Sequence, residues 1–180
     1  MIVVITQPFF FEGESERILE LLARPDVDLV HIRKPHAGRE QVVRLLDSLP
    51  REAYSHLVLH DHHDLAVVYG LHGIHLNGRN PRRLEGWHGS VSRSCHSLGE
   101  IMACRDEKLD YMSLSPIFDS ISKSGYRAAF TRDELIEAHR QGIINERVLA
   151  LGGVTFDRID EVLEMGFGGA MILGDAWRQY

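Results

Sequence analysis

The stretch Leu29–Arg33, "LVHIR", carries the decisive pattern. Successive side chains of an extended chain point to opposite sides, so Val30 and Ile32 share one face while His31 and Arg33 share the other. The pattern recurs. In "HLVLHD" (56–61), Leu57 and Leu59 oppose Val58 and His60. In "GIHLN" (73–77), Ile74 and Leu76 oppose His75 and Asn77. In "YMSLS" (111–115), Met112 and Leu114 oppose Tyr111, Ser113 and Ser115. The apolar sets belong beneath helices, and the polar sets point into a barrel and gather near its carboxyl end. An unpaired buried polar group costs about 1–3 kcal/mol. A polar ligand at that mouth would satisfy these groups, as would a hydrogen-bonded plug.

Outward from these stretches, short apolar runs alternate with helical patterns. Strands are expected at Ile2–Thr6, Leu29–Arg33, Leu57–His60, Gly73–Leu76, Gly89–Ser94, Asp110–Leu114, Arg147–Leu151 and Gly169–Leu173. Helix starts are marked by Ser15, with Ile18, Leu19 and Leu22 at helical spacing, and by "SLGE" (97–100) and "TRDE" (131–134), which fit capping boxes. Thr155 is placed to cap a further helix, and Gly142 and Gly166 to end helices. Eight strands in βα alternation predict one domain over residues 1–180, a parallel (β/α)8 TIM barrel. An open doubly wound sheet is the alternative. The stretch Asn77–Trp87 is weakly patterned and seven residues follow Leu173, so a slightly truncated barrel with reduced fourth and last helices is expected, short against the ~250 residues typical of such folds.

Net charge is −6, which argues against nucleic acid and anionic membrane surfaces as partners. No apolar run is long enough to span a bilayer. "MIVVITQPFFFEGE" reads as a first strand, not a signal peptide. The two cysteines, Cys95 and Cys104, form no disulfide framework, and a cytoplasmic location follows. Cys95 beside His96 is no nucleophile–base dyad, because neighbours in extended chain point apart, and it reads as a small buried hydrophobe. The "PFFF" segment and Trp87 would leave apolar surface for a homodimer to cover.

The strand ends carry the chemistry. Arg33 offers a planar fork to phosphate oxygens and Lys34 a point charge. The loop "SPIFDSISKSGY" (115–126) offers Ser120, Ser122 and Lys123 to one anion. Gly152, Gly153 and Gly174 close the last two strands, where bare backbone lets N–H groups approach a phosphate. In "LHDHHDLA" (59–66), Asp61 and Asp64 suit a hard cation such as Mg²⁺. The histidines of that run match no zinc spacing.

Taken together, "VHIRKP", "LHDHHDLA" leading to "LHGIHLNG", "SRSCHSLGE", "DYMSLSPIFDSISKSGY" and "LALGGV" make the chain resemble the thiamine-phosphate synthase family and its relatives, the thiazole tautomerases. The resemblance implies a transferase. A hydroxymethylpyrimidine diphosphate loses pyrophosphate, and the nitrogen of a thiazole phosphate attacks the cation-like methylene carbon. It assigns the leaving diphosphate to Arg33, Lys123, Ser120 and Ser122, and Mg²⁺ to Asp61 and Asn80. Substrate contacts fall at His31, Lys34, His60, Ser94, His96, Gly152, Gly153 and Gly174. The partners implied are small phosphorylated molecules.

The chain departs from the family pattern at several of these positions. The strand-two motif Gln-x-Arg-Glu-Lys reads His31, Ile32, Arg33, Lys34, Pro35. The Asn-Asp after strand three is His60-Asp61, the second metal aspartate falls at Asn80, and a serine near the last strand falls at Gly174. The tautomerase histidine falls at Pro116. A non-catalytic or regulatory binder of a phosphorylated ligand on the same barrel is the main alternative. A tautomerase and an unrelated phosphate-sugar barrel enzyme come after it.

Overall fold

Eight parallel strands form within a residue or two of the positions the alternation gave them. They are β1 (Ile2–Ile5), β2 (Leu29–Ile32), β3 (Leu57–Leu59), β4 (Gly73–Leu76), β5 (Ser90–Cys95), β6 (Tyr111–Leu114), β7 (Val148–Leu151) and β8 (Gly169–Ile172). A computed structural model describes residues 1–119 and 128–178. The strands close into a barrel in chain order, so the open-sheet alternative falls and the fold is a (β/α)8 barrel. Most strands are buried on both faces, as a parallel sheet covered by helices requires.

The helices are α1 (Glu14–Leu22), α2 (Arg39–Asp47), α3 (Asp64–Tyr69), α4 (Leu98–Ala103), α5 (Arg132–Arg140) and α6 (Ile159–Glu164). In α1, Ile18 and Leu21 bury one stripe, the i, i+3 spacing of an amphipathic helix. Thr131 and Glu134 form the expected capping box at α5. At α4 only half of the box forms. Ser97 accepts from the Glu100 N–H, while the Glu100 carboxylate turns to the His96 N–H at 2.8 Å. Thr155 does not cap α6 directly, because a 3-10 turn, Phe156–Arg158, intervenes. Among the described residues no helix lies between β4 and β5, as the weak patterning of Asn77–Trp87 predicted, and only a 3-10 turn, Asp175–Trp177, follows β8, in the short stretch where a reduced last helix was expected.

Contacts between Cα atoms group the chain into two compact units, Val3–Val91 and Met1–Ile2 with Ser92–Tyr180. In the first, β2 registers Val30 with Leu57 and His31 with Val58, and β3 registers Val58 with Gly73. His60, two residues beyond Val58, therefore shares the face of His31. In the second, β6 registers Ser113 with Ser94 and with Leu149. Among the described residues no helix is long and apolar enough to cross a membrane.

Candidate active site

In the unit Val3–Val91 the ends of β1–β4 assemble a polar cluster from short-range backbone geometry. The buried Thr6, just past β1, accepts the Arg33 N–H on its hydroxyl at 2.9 Å. The Thr6 N–H donates to the His31 carbonyl at 2.9 Å. This pins the residue that follows β2. The half-buried Arg33 guanidinium makes no hydrogen bond or ion pair with another described residue. Burial, then the neighbouring Arg79, draws its pKa down, while Asp61 acts the other way.

Lys34 points elsewhere. Its side chain is 1% exposed, and its ammonium donates to the Glu14 carboxylate and to the carbonyls of Gln7 at 2.9 Å and Phe9 at 2.7 Å. It also sits 4.7 Å from the Phe10 ring centroid. Burial pushes Glu14 up and Lys34 down, and their pairing opposes both shifts. This lysine ties the segment after β1 to α1. A cleft of about 320 Å³ beside α1 and α2, lined by Phe10, Phe11, Glu14, Gln41 and Arg44 among others, shares only Glu14 with the cluster.

Three imidazoles from β2, the end of β3, and β4 meet inside the same unit. His31 Nδ1 and His60 Nε2 are 2.9 Å apart. The His60 and His75 rings stack at 4.1 Å, and His31 meets each of them edge-on with centroids 5.1 Å apart. All three are buried, and burial holds them neutral. His31 and His60 lie well below the usual histidine value and His75 falls to about 3. Their nitrogens lie within 4.8 Å of one another, a ligand set that Zn²⁺ or Ni²⁺ accepts by type, although the His31–His60 hydrogen bond already engages one nitrogen of each. His75 belongs to this trio and was not among the expected site residues. The signal was its parity with Asn77 in "GIHLN".

Asn77 builds the next turn. Its amide donates to the carbonyls of His60 at 2.8 Å and His75 at 3.2 Å, and its oxygen accepts the N–H groups of Arg79 and Asn80 at 3.0 and 3.2 Å. The turn carries Arg79 to Asp61, where Nε and Nη2 meet the two carboxylate oxygens at 2.9 and 3.0 Å. The Asn80 amide donates to the same carboxylate at 2.8 Å and to the His60 carbonyl at 3.0 Å. Asp61 and Asn80, the expected Mg²⁺ pair, are thus brought together. As arranged they do not fit Mg²⁺. A hard divalent ion wants anionic oxygens, whereas the single carboxylate is already forked by a guanidinium and the amide turns its N–H groups toward it. Asp64 is engaged separately, by Arg39 at 3.0 Å. Sequence reading passed over Arg79, whose only signal was its place between Asn77 and Asn80.

The unit containing Ser92–Tyr180 is organised by backbone. Gly152 and Gly153 follow β7 with φ of 92° and 67°, values that favour glycine. A Cβ on Gly152 would lie 2.8 Å from the Pro116 Cα, and one on Gly153 would strike the Asp119 carbonyl oxygen and the Phe118 Cβ. The Phe118 N–H donates to the Gly152 carbonyl at 2.9 Å. Gly174, with φ −60°, opens the turn after β8. Ser94 is half-buried on β5, and the exposed His96 lies 3.2 Å from the Ser115 hydroxyl. Ser120, Ser122 and Lys123 lie outside the described residues.

The fold is that of the (β/α)8 barrel class, in which strand ends and the loops after them hold the functional groups. The family model described as thiamine monophosphate synthase matches residues 2–174, and the chain belongs to that family. It is similar to the thiamine phosphate pyrophosphorylase of Bacteroides thetaiotaomicron, whose crystal structure superposes with TM-score 0.84 at 37% identity, covering 99% of this chain and 85% of that one. The thiamine-phosphate synthase of Salinibacter ruber is 26% identical over 179 residues, 94% of this chain and 78% of the relative. That of Halalkalibacterium halodurans is 23% identical over 171 residues, 89% and 79% respectively.

Proposed function

We propose that the chain, read as one barrel domain over residues 1–180, joins a hydroxymethylpyrimidine diphosphate to a thiazole phosphate and releases pyrophosphate. The bond from the methylene carbon to the diphosphate oxygen breaks, and the oxygen keeps the electron pair. The lone pair of the thiazole nitrogen then forms the new carbon–nitrogen bond, and the ring becomes a cation with no proton moved. The barrier is charge growing on the leaving group. Preorganised cations lower it without reorganising during the reaction.

The observation that carries this reading is Arg33: a half-buried guanidinium with no partner among the described residues, beside three neutral imidazoles. Its planar fork suits the leaving diphosphate. Lys123, Ser120 and Ser122 join it in that role by the family pattern. His31 and His60, hydrogen-bonded to each other where the family has Gln and Asn, would form a dry wall that excludes water from the methylene cation. Gly152, Gly153 and Gly174, each past the end of its strand, would receive the thiazole phosphate, with Ser94 and His96 contacting substrate. Lys34, turned to Glu14, supports the strand end from behind. The setting for such chemistry is the cytoplasm. A homodimer would cover exposed apolar side chains such as Val67 and Val68 on α3.

The test mixes purified protein with both substrates and follows pyrophosphate and thiamine phosphate. Product is expected, and Arg33→Ala should slow it roughly 100-fold or more, the scale of losing one transition-state donor. Tight binding of both substrates without product would establish the binder reading instead, which the neutralised Asp61 favours.

A further inference from the structure

The arrangement at Asp61 raises the question of what neutralises a diphosphate there. We propose that the guanidinium of Arg79, held by Asp61, stands where a divalent cation would otherwise sit, so that Arg33 and Arg79 grip the diphosphate without metal. This rests on the reading above that the strand ends bind such a group.

The Arg79 Nε and Nη2 spend two N–H groups on the two oxygens of Asp61, at 2.9 and 3.0 Å. A guanidinium has five, so three remain to donate. Asp61 is 14% exposed and Arg79 42%, which makes the carboxylate the anchor and the guanidinium the presented group. The turn is fixed on its other side by Asn77, whose amide oxygen takes the Arg79 N–H at 3.0 Å. Asn80 adds a second donor to Asp61 at 2.8 Å. Asp61 is therefore saturated by donors in the manner of an orienting carboxylate, which would have to be stripped before it could ligate an ion. Arg79 is also close enough to Arg33 to disfavour the charge of Arg33, a repulsion that a bound anion relieves. Two guanidiniums against one carboxylate leave a net positive charge at the site, as one Mg²⁺ on one aspartate would.

The probe is inorganic pyrophosphate, titrated calorimetrically into the purified chain in EDTA and again in Mg²⁺. The expected result is binding in EDTA within about threefold of that in Mg²⁺. Arg79→Ala should weaken binding in EDTA roughly tenfold or more, the scale of one lost charged donor, with Arg79→Lys between the two. Asp61→Asn discriminates by sign. An orienting carboxylate can be replaced with binding kept within about threefold, because removing a negative charge offsets the looser fork. Thermal midpoints confirm that each variant folds. Binding seen only with Mg²⁺ and abolished by Asp61→Asn would overturn the proposal and leave the proposed function standing. No pyrophosphate binding in either medium would overturn both.

Discussion

Strands β2 and β3 end in ionisable side chains, Arg33, His60 and Asp61, whereas β7 and β8 run into Gly152, Gly153 and Gly174. The first region gathers charge and lone pairs that need partners, so Thr6, Asn77 and Glu14 hold others in place. The second gathers backbone and must avoid side chains, because the segment from Pro116 to Asp119 packs directly onto its turns. A site made of charges responds to protons and partners. A site made of close backbone responds to single carbon atoms.

The largest effect expected on that contrast is at Lys34. Lys34→Ala would leave Glu14 buried without its ammonium partner and cost about 3–5 kcal/mol, read by urea unfolding. The double variant Lys34→Met, Glu14→Leu should recover most of the loss. A small cost for the single variant would show that the charged region tolerates imperfect pairing and would blunt the comparison.

Next is pH. The folded chain refuses protons that the unfolded chain binds between the ordinary histidine value, 6.5, and about 3 for His75. Stability therefore falls as pH drops below about 6.5 and is unaffected by these groups above it. Going from pH 7 to pH 5 should remove on the order of 2 kcal/mol through His75, with His31 and His60 acting in the same direction. The double variant His31→Gln, His60→Asn should show a flatter profile, because it deletes two of the three. An unchanged slope would mean that the trio is hydrated in solution.

The smallest effect tests the other region. Gly153→Ala should cost about 1–2 kcal/mol from left-handed backbone alone, more with the contact at the Phe118 Cβ. Gly174→Ala, at φ −60°, should stay within about 0.5 kcal/mol of the parent. Lower thiazole phosphate affinity in the second variant at unchanged stability would assign Gly174 to the ligand.

The barrel was legible because period-two alternation is written into β2, β3, β4 and β6, and a capping box into the start of α5. Even the missing helix between β4 and β5 was visible, as the lack of a pattern from Asn77 to Trp87. The site was less so. Sequence reading could place Asp61 and Asn80 at neighbouring strand ends, and they do meet. It could not show that Lys34 would turn back to Glu14, since that depends on where the segment after β1 passes. Nor could it show that an arginine three residues past a strand would fold onto Asp61, because the Asn77 turn that aims it is held by the carbonyls of His60 and His75. Charge partners are chosen by the path of the backbone, and parity alone does not trace that path.

Cys95 and Cys104 are 1% and 6% exposed, and burial first of all pushes both thiols up, Cys95 to about 12. The reactive thiolate is then scarce at neutral pH. A cysteine placed on an exposed loop would therefore take a maleimide dye while these two stay silent, and fluorescence could follow ligand arrival without first stripping the native sulfurs.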